Sequence, residues 1–221
     1  MGHAPEGFAG FPAAGLQFLV DLRANNNRDW FTANRAILDR ELMAPAQAFC
    51  ARLQSFLATL MGEPCATKIW RMHRDLRFSK DKTPYNTHLH ISFTPEGAPA
   101  GSPGWFFGLD TEKISLGCGS FAFEPAQLES FRTKVLAGGG AAIASRLADL
   151  MASGVRLSEP ELKQVPRGYD RAHPRAHLLR HKGLAAWIDI PDRSTASRDD
   201  FAEICCAAFE RLRPVYDICR R

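Results

Sequence analysis

The sequence lacks the segments that would place the protein in or across a membrane. No apolar run approaches the length of about 20 residues that a membrane helix needs. Residues 1–5 contain no basic segment followed by an apolar one, so no secretory leader is predicted. We therefore expect a cytoplasmic protein that has no membrane partner.

The six cysteines lack the spacing of a metal site or a redox centre. No two of them form a C-x-x-C motif, and ordinary disulfide geometry disfavours a bond between the adjacent Cys205 and Cys206. Reduced thiols are the simpler interpretation. Cys118 falls in a predicted strand and is better explained as a small core residue than as a nucleophile, because free cysteine is among the most buried residue types.

Signatures of several enzyme classes are also absent. Residues 117–120 lack the G-x-S-x-G elbow of hydrolases, and residues 138–140 lack the lysine and hydroxyl of a phosphate-binding P-loop. His177 and His181 have the spacing of two metal ligands on a helix, but the basic residues around them would repel a cation and no H-E-x-x-H motif is present. We predict no metal site there, and the sequence identifies no cofactor.

What is present is an ordinary globular composition. Of the 221 residues, 45% are hydrophobic and 24% are charged, and 15 phenylalanines and 4 tryptophans are available to fill a core. Chains of this length often fold as one unit, so we predict a single domain over residues 1–221. The net charge of +4 permits an anionic partner without requiring one, and nucleic acid is not excluded but is not favoured.

The spacing of apolar residues predicts that the first third of the chain is helical. Asn25, Asn26 and Asn27 supply capping and turn residues between two helices, and Pro45 is suited to the first turn of a further helix. Helical spacing returns at residues 128–150 and again at residues 201–215, where Ser197 is the predicted cap.

Between these helical segments, apolar and polar residues alternate as in strands. The predicted strands lie at residues 70–78, 89–93, 105–109, 114–118 and 184–190. Because consecutive strands with short connections favour antiparallel pairing, we predict an α+β fold. It has an antiparallel sheet of about four to five strands flanked by helices, with a helical N-terminal third and a C-terminal helix.

A dense polar stretch between Arg71 and His90 is the best candidate for a functional site. If residues 70–78 form a strand, one face is polar and the other is apolar and directed to the core. The polar face carries Arg71, His73, Asp75 and Arg77, and the apolar face carries Trp70, Met72, Leu76 and Phe78, with Arg74 among them. Residues 79–87 return the chain to a second strand whose polar face carries His88 and His90. The two polar rows would then lie side by side. Guanidinium groups in such a patch bind phosphate or carboxylate in a two-pronged manner.

The predicted ligand is therefore a small anionic molecule that carries a phosphate or a carboxylate. Arginines and a lysine would bind the anion, aspartates would hold these side chains in place, and Tyr85 and His88 would border the site. No catalytic residue is identified. The predicted ligand-binding residues are Arg71, Arg74, Asp75, Arg77, Asp81, Lys82, Tyr85 and His88.

Three other interpretations of the same residues stay open. The arginines could pair with Asp75 and Asp81 in a purely structural ion-pair network. A metal-dependent hydrolase or nuclease-like enzyme could use these aspartates to hold a metal ion and His88 as an acid or base. A nucleic-acid or protein-binding adaptor would need a continuous basic surface.

The polar stretch also carries a long motif. Residues 71–85 read R-M-H-R-D-L-R-F-S-K-D-K-T-P-Y. This stretch resembles the R-x-x-R-D-x-R-F-x-x-D-K-x-x-Y signature of the bacterial family catalogued as domain of unknown function 2461. The resemblance implies that the signature positions are Arg71, Arg74, Asp75, Arg77, Asp81, Lys82 and Tyr85, with no activity attached to any of them.

The resemblance extends over nearly the whole chain. Residues 25–31 are similar to the N-N-N-R-x-W-F opening of that family. Residues 166–169, His173 with Pro174, and residues 178–182 are similar to later conserved stretches of the family. The resemblance therefore supports one site candidate and implies no function.

Overall fold

The computed structural model describes residues 7–220, and it begins with a mainly helical segment. Asn27 caps the second helix, because its side chain accepts a hydrogen bond from the Trp30 backbone N–H at 3.0 Å. The predicted helical first third is confirmed. Its elements are α1 (Ala13–Ala24), α2 (Arg28–Ala33), α3 (Arg35–Ile37), a π-helix (Leu38–Met43) and α4 (Ala44–Met61).

The π-helix brings the backbone unusually close to α1. A Cβ atom on Gly15 would lie 2.2 Å from the carbonyl oxygen of Glu41, so only glycine fits at this contact. Pro45 lies in the first turn of α4, where its missing N–H is tolerated. Gly62 ends α4 with a φ of 75°, a left-handed conformation that glycine adopts without strain.

A six-stranded antiparallel sheet follows, in the order β1-β2-β3-β4-β6-β5. The α+β prediction is confirmed, with one strand more than expected. The additional strand is the two-residue β5, whose Arg156 and Leu157 pair with Trp187 and Ala186. The strands are β1 (Cys65–Ile69), β2 (Leu89–Pro95), β3 (Gly104–Leu109), β4 (Ile114–Ser120), β5 (Arg156–Leu157) and β6 (Leu184–Ile190).

The remaining predicted helices are present, and the last begins later than expected. α7 starts at Phe201, after a 3₁₀ helix (Arg193–Ser197) that contains the predicted cap Ser197. A capping box of Glu124 and Gln127 begins α5, with Pro125 as its first residue. The elements are α5 (Pro125–Leu136), α6 (Gly140–Ala152), a 3₁₀ helix (Ala176–Arg180) and α7 (Phe201–Arg220).

The chain forms two compact units, the first of which comprises residues 7–96, Phe106–Ser115 and Asp189–Ala207. Its core contains an aromatic cluster whose ring centroids lie 4.7 to 6.2 Å apart. The rings belong to Phe11, Phe49, Phe107 and Phe201. This unit also contains the whole polar stretch from Arg71 to His90.

The second unit comprises Gly97–Trp105, Leu116–Ile188 and residues 208–220. In its core the Trp105 ring stacks on Tyr216 at 5.3 Å and meets Phe209 edge-on at 5.5 Å. The single domain over residues 1–221 stays a prediction. No helix within residues 7–220 has by itself the length and apolar character of a membrane span; α5 and α6 reach that threshold only when taken together, and they meet at 95°.

Candidate functional site

The strand predicted at residues 70–78 is wrong. The strand in this part of the chain is β1, which ends at Ile69, before the predicted segment begins. Residues 70–88 are irregular apart from one antiparallel bridge between His73 and Tyr85. Asp75 turns the chain by accepting a hydrogen bond from the Arg77 backbone N–H at 3.1 Å. Phe78, predicted to face the core, is 94% exposed.

The segments on either side of the turn nevertheless lie next to each other. The Trp70 N–H donates to the His90 carbonyl at 2.9 Å, directly beyond the Ile69–Ile91 pair of the β1–β2 ladder. Further along, the Asn86 N–H donates to the Met72 carbonyl at 2.6 Å, and the Arg74 N–H donates to the Pro84 carbonyl at 2.9 Å. The adjacency that the predicted site requires is therefore present.

The pairing register changes by two residues within this region. Between the pairs Ile69–Ile91 and His73–Tyr85 lie three residues on one side (70–72) and five on the other (86–90). Such extra residues bulge out of a ladder and re-aim the side chains around them. Here the rings of His88 and His90 stack with centroids 3.9 Å apart.

Arg74 and Asp81 form a network inside the loop. The Arg74 Nη1 atom donates to Asp81 Oδ2 at 2.5 Å, to the Thr83 carbonyl at 3.1 Å and to the Thr83 hydroxyl. The Thr83 N–H donates to Asp81 Oδ1 at 2.9 Å. Hydrogen bonds from the Thr83 backbone, Arg74 and the Thr83 hydroxyl lower the pKa of Asp81 to about 2. This pair holds the loop in shape.

Arg77 and Lys82 are also satisfied within the loop. Arg77 forms a two-pronged ion pair with Asp75, with Nε–Oδ1 at 3.0 Å and Nη2–Oδ2 at 2.6 Å. These hydrogen bonds from Arg77 lower the pKa of Asp75. The Lys82 Nζ atom donates to the Leu76 carbonyl at 3.1 Å. Three of the four predicted anion-binding cations therefore have protein partners.

Tyr85 is a core residue instead of a border of the site. It is 5% exposed, and its ring stacks on Phe31 with a centroid distance of 3.8 Å and an interplanar angle of 8°. The His73 ring meets Tyr85 edge-on at 4.9 Å. The aromatic contact fixes the second segment of the hairpin on α2.

A hollow of about 320 Å³ opens beside this hairpin. Of the eight predicted residues, Arg71, Arg74, Asp75 and His88 line it, whereas the other four do not. The other four residues of the lining were not among the predicted ligand-binding residues, although His73 and His90 had been placed on the polar faces of the hairpin. The whole lining consists of Trp70, Arg71, His73, Arg74, Asp75, Asn86, His88 and His90.

Arg71 differs from the other arginines of the loop. The structure gives its guanidinium no hydrogen bond or ion pair with any residue in the described range 7–220. Its backbone carbonyl accepts a hydrogen bond from the Asn86 side chain at 3.4 Å, and its positive charge contributes to the lowered pKa of Asp75. The hollow is thus lined by one guanidinium whose five N–H donors are free of protein acceptors.

The two stacked histidines are neutral near pH 7. Desolvation, with Arg74 contributing, lowers the pKa of His88 against the opposing effect of Asp110. Desolvation and the neighbouring His88 lower the pKa of His90 to about 4, although the His90 side chain keeps contact with solvent. A Cβ atom on Gly108 would lie 3.3 Å from His90 Cδ2, so the glycine leaves room for the ring. Neutral imidazoles offer one donor and one acceptor each.

Trp70 forms the aromatic side of the hollow. The sequence pattern predicted the wrong position for this side chain. Alternation predicted that this indole faces the core, but it is 48% exposed. Its Nε1 atom donates to the Ser92 hydroxyl at 3.2 Å, and the Lys68 Nζ atom lies 3.8 Å from the ring centroid. Within residues 7–220, no group of three His, Cys, Asp or Glu side chains is placed to hold a metal ion.

Comparison with known proteins gives one finding. A sequence model of the family described as "Conserved hypothetical protein (DUF2461)" matches residues 14–217. No curated protein matches the chain.

Proposed function

The chain belongs to this conserved hypothetical protein family, and from the geometry of its site we propose that it binds a small phosphate- or carboxylate-bearing molecule in the hollow beside Arg71. The observation that carries the proposal is the Arg71 guanidinium, which lies in the wall of a hollow of about 320 Å³ and has no hydrogen bond or ion pair among the residues that the structure describes. A planar guanidinium fork matches the oxygens of phosphate and carboxylate. The volume suits a small ligand.

The remaining charges around Arg71 support an anion over a cation. Asp75 is the carboxylate of the lining, and both of its oxygens accept hydrogen bonds from Arg77. Its charge is therefore offset before a ligand arrives. Arg74 adds a second positive charge to the lining, although its N–H groups are directed to Asp81 and Thr83.

The uncharged part of the lining suits the rest of such a ligand. Asn86, His73 and the neutral pair His88 and His90 provide hydrogen-bonding groups, and Trp70 provides a flat apolar surface. A ligand with an anionic group near Arg71 and a planar or apolar portion against the indole would use both parts of the hollow.

The hydrolase alternative has less support, because it needs Asp75 and Asp81 to hold one metal ion next to His88. The carboxylate of Asp81 is engaged by Arg74 and Thr83, and Asp81 does not line the hollow. A cytoplasmic location stays part of the proposal. It is supported by six free cysteines, since free thiols are typical of reducing compartments.

The proposal is tested by thermal-shift and calorimetric titration with inorganic phosphate at constant ionic strength. Wild-type protein should show a saturable rise in melting temperature. Arg71→Gln should weaken binding by about tenfold or more, because a charge-assisted hydrogen-bonding group is lost. Arg52→Gln is the control, since Arg52 is an exposed arginine of the same unit that pairs with Glu203 and lies outside the lining.

Two results would contradict the proposal. One is an Arg71→Gln variant that binds phosphate as tightly as wild-type protein. The other is the absence of saturable binding for phosphate and for a small carboxylate such as citrate. Shifts of the His88 and His90 ring signals in NMR spectra during the titration would place the anion in the hollow.

A further inference from the structure

We propose that the second compact unit carries a separate site for an amphiphilic anion, a carboxylate or phosphate head group on a short aliphatic chain, where α5 meets α6. A hollow of about 350 Å³ lies at this place. It combines cationic side chains with an apolar wall. Its lining consists of Lys134, Ala137, Gly139, Ala142, Ile143, Arg146, Asp217 and Ile218.

The ammonium group of Lys134 is the first observation. Its Nζ atom is buried and has no hydrogen-bond partner among the described residues. An ammonium group carries three donors, and burying such a charge without a partner is costly. A bound anion would supply the missing acceptor.

The end of α5 explains why Lys134 has no internal partner. A lysine in the last turn of a helix often donates to the terminal carbonyl groups. Here Arg175 occupies them instead: its Nε atom donates to the Val135 carbonyl at 2.6 Å, and its Nη2 atom donates to the Leu136 and Ala137 carbonyls at 3.2 and 3.3 Å. The acceptors nearest to Lys134 in the chain are therefore taken.

A second cation, Arg146, lines the same hollow from α6. No hydrogen bond or ion pair of its guanidinium occurs in the part of the chain that the structure describes. Asp217, an acidic residue of the lining, accepts from Arg213 Nε at 2.9 Å, so its charge is already offset. The hollow therefore has an excess of positive charge.

The rest of the lining is aliphatic. Ala137, Ala142, Ile143 and Ile218 form an apolar wall beside the two cations. A free inorganic anion would leave this wall in contact with water, whereas an aliphatic chain would bury it. The volume is at the lower end of the range for ligand pockets, which favours a short chain.

The test is isothermal titration calorimetry of the full chain with octanoate and octyl phosphate, each below its critical micelle concentration. One or both should bind, and the comparison separates a carboxylate from a phosphate head group. Octan-1-ol has the same chain without charge, and acetate has the charge without the chain. Both should bind at least about tenfold more weakly than the better amphiphile.

Variants assign the binding to this hollow. Lys134→Met keeps an apolar side chain of similar length and should weaken binding by about tenfold or more. It should also raise the melting temperature of the ligand-free protein, because a buried unpaired charge is removed. Lys163→Met, which replaces an exposed lysine of the same unit, is the control and should change neither property.

Several outcomes would overturn the inference. They are the absence of binding for both amphiphiles, unchanged binding in Lys134→Met, or a lowered melting temperature in that variant, which would assign Lys134 a structural partner. Arg146→Gln should weaken binding as well and provides a second variant. Lys134→Met should weaken binding by the same factor in the Arg71→Gln background, which separates this site from the hollow of the first unit.

Discussion

Asn26 and Tyr85 are joined by two hydrogen bonds between one side chain and one backbone unit. The Asn26 Nδ2 atom donates to the Tyr85 carbonyl at 2.8 Å, and Asn26 Oδ1 accepts from the Tyr85 N–H at 3.0 Å. Tyr85 lies opposite His73, but the hydrogen bonds between the two segments are formed by the residues next to this pair. The Tyr85 backbone N–H and carbonyl therefore point away from His73. The Asn26 side chain thus pairs with the two Tyr85 backbone groups that a neighbouring strand would otherwise pair with.

This contact connects two of the motifs that carry the family resemblance. Asn26 lies in the Asn-rich turn, and Tyr85 is the last residue of the signature at residues 71–85. Phe31, from the first motif, stacks on the Tyr85 ring. The first motif therefore supports the hairpin that forms the hollow.

Replacing Asn26 should destabilise the protein. In Asn26→Ala the Tyr85 N–H and carbonyl lose their partners next to a buried ring, which should lower the free energy of unfolding by about 1 to 3 kcal/mol. Urea denaturation measures this loss. Asn25→Ala is the control, because Asn25 makes one exposed, local hydrogen bond to the Asp21 carbonyl. Equal losses in the two variants would contradict the assigned role of Asn26.

The hydrogen bonds of Asp81 should make the free energy of unfolding depend on pH in the acid range. The pKa of Asp81 is about 2 in the folded protein, below its ordinary value of 3.8. Between these values the unfolded chain binds more protons, so stability is present above about pH 4 and is lost as the pH falls towards 2. The urea midpoint of wild-type protein should exceed that of Asp81→Asn near pH 5, and the difference should shrink near pH 2.5. A difference independent of pH would refute the charge-dependent role.

His90 should stay neutral well below the ordinary range of a histidine. Its pKa is lowered from 6.5 to about 4, so the unfolded chain takes up a proton between these values while the folded protein does not. Stability should therefore fall as the pH decreases from about 6.5 to 4, and His90→Gln should show a shallower decrease. An NMR titration should place the midpoint of the His90 ring near pH 4. A midpoint near 6.5 would contradict the desolvation of the ring and its contact with His88.

Gly108 should determine the placement of the His90 ring. In Gly108→Ala the new Cβ atom would press on His90 Cδ2 at 3.3 Å and on Nε2 at 3.4 Å, so the ring must move. We expect changed ring signals for His90 and His88, with less than about 1 kcal/mol of lost stability, because His90 lies at the surface. Gly138→Ala is the control, since no atom lies within 4 Å of its added Cβ. Unchanged histidine spectra in Gly108→Ala would disprove the contact.

The helices and most strands could be predicted because they follow from local periodicity. The strand predicted at residues 184–190 has the observed bounds, and α5 and α6 cover the helical spacing predicted at residues 128–150. The strand at residues 70–78 failed because its alternation came from charged residues that bond within a loop. Met72 is buried and Phe78 is exposed, although both occupy apolar positions of the same alternating pattern. The pattern alone therefore does not show which positions face the core.

The candidate site could be predicted as a region but not as a set of contacts. The adjacency of the segments on either side of the turn was expected, but residues 84–86, which pair with residues 72–74, had been assigned to the turn. The role of Thr83 was missed, because its backbone and hydroxyl meet Asp81 and Arg74 only once the loop has closed. Tyr85 was assigned to the rim because a tyrosine in a polar motif carries no signal of the ring on which it stacks.

The sequence by itself determined the α+β composition, the order of the elements and the segment in which charged groups collect, since each depends on residue spacing over a few positions. Only the tertiary structure decided which charges stay without partners. Arg74 and Arg77 meet carboxylates within the loop, whereas Arg71 lines the hollow and forms no ion pair or side-chain hydrogen bond within residues 7–220. Hydrogen-bond satisfaction depends on where the whole chain places each acceptor, and local spacing does not encode that placement.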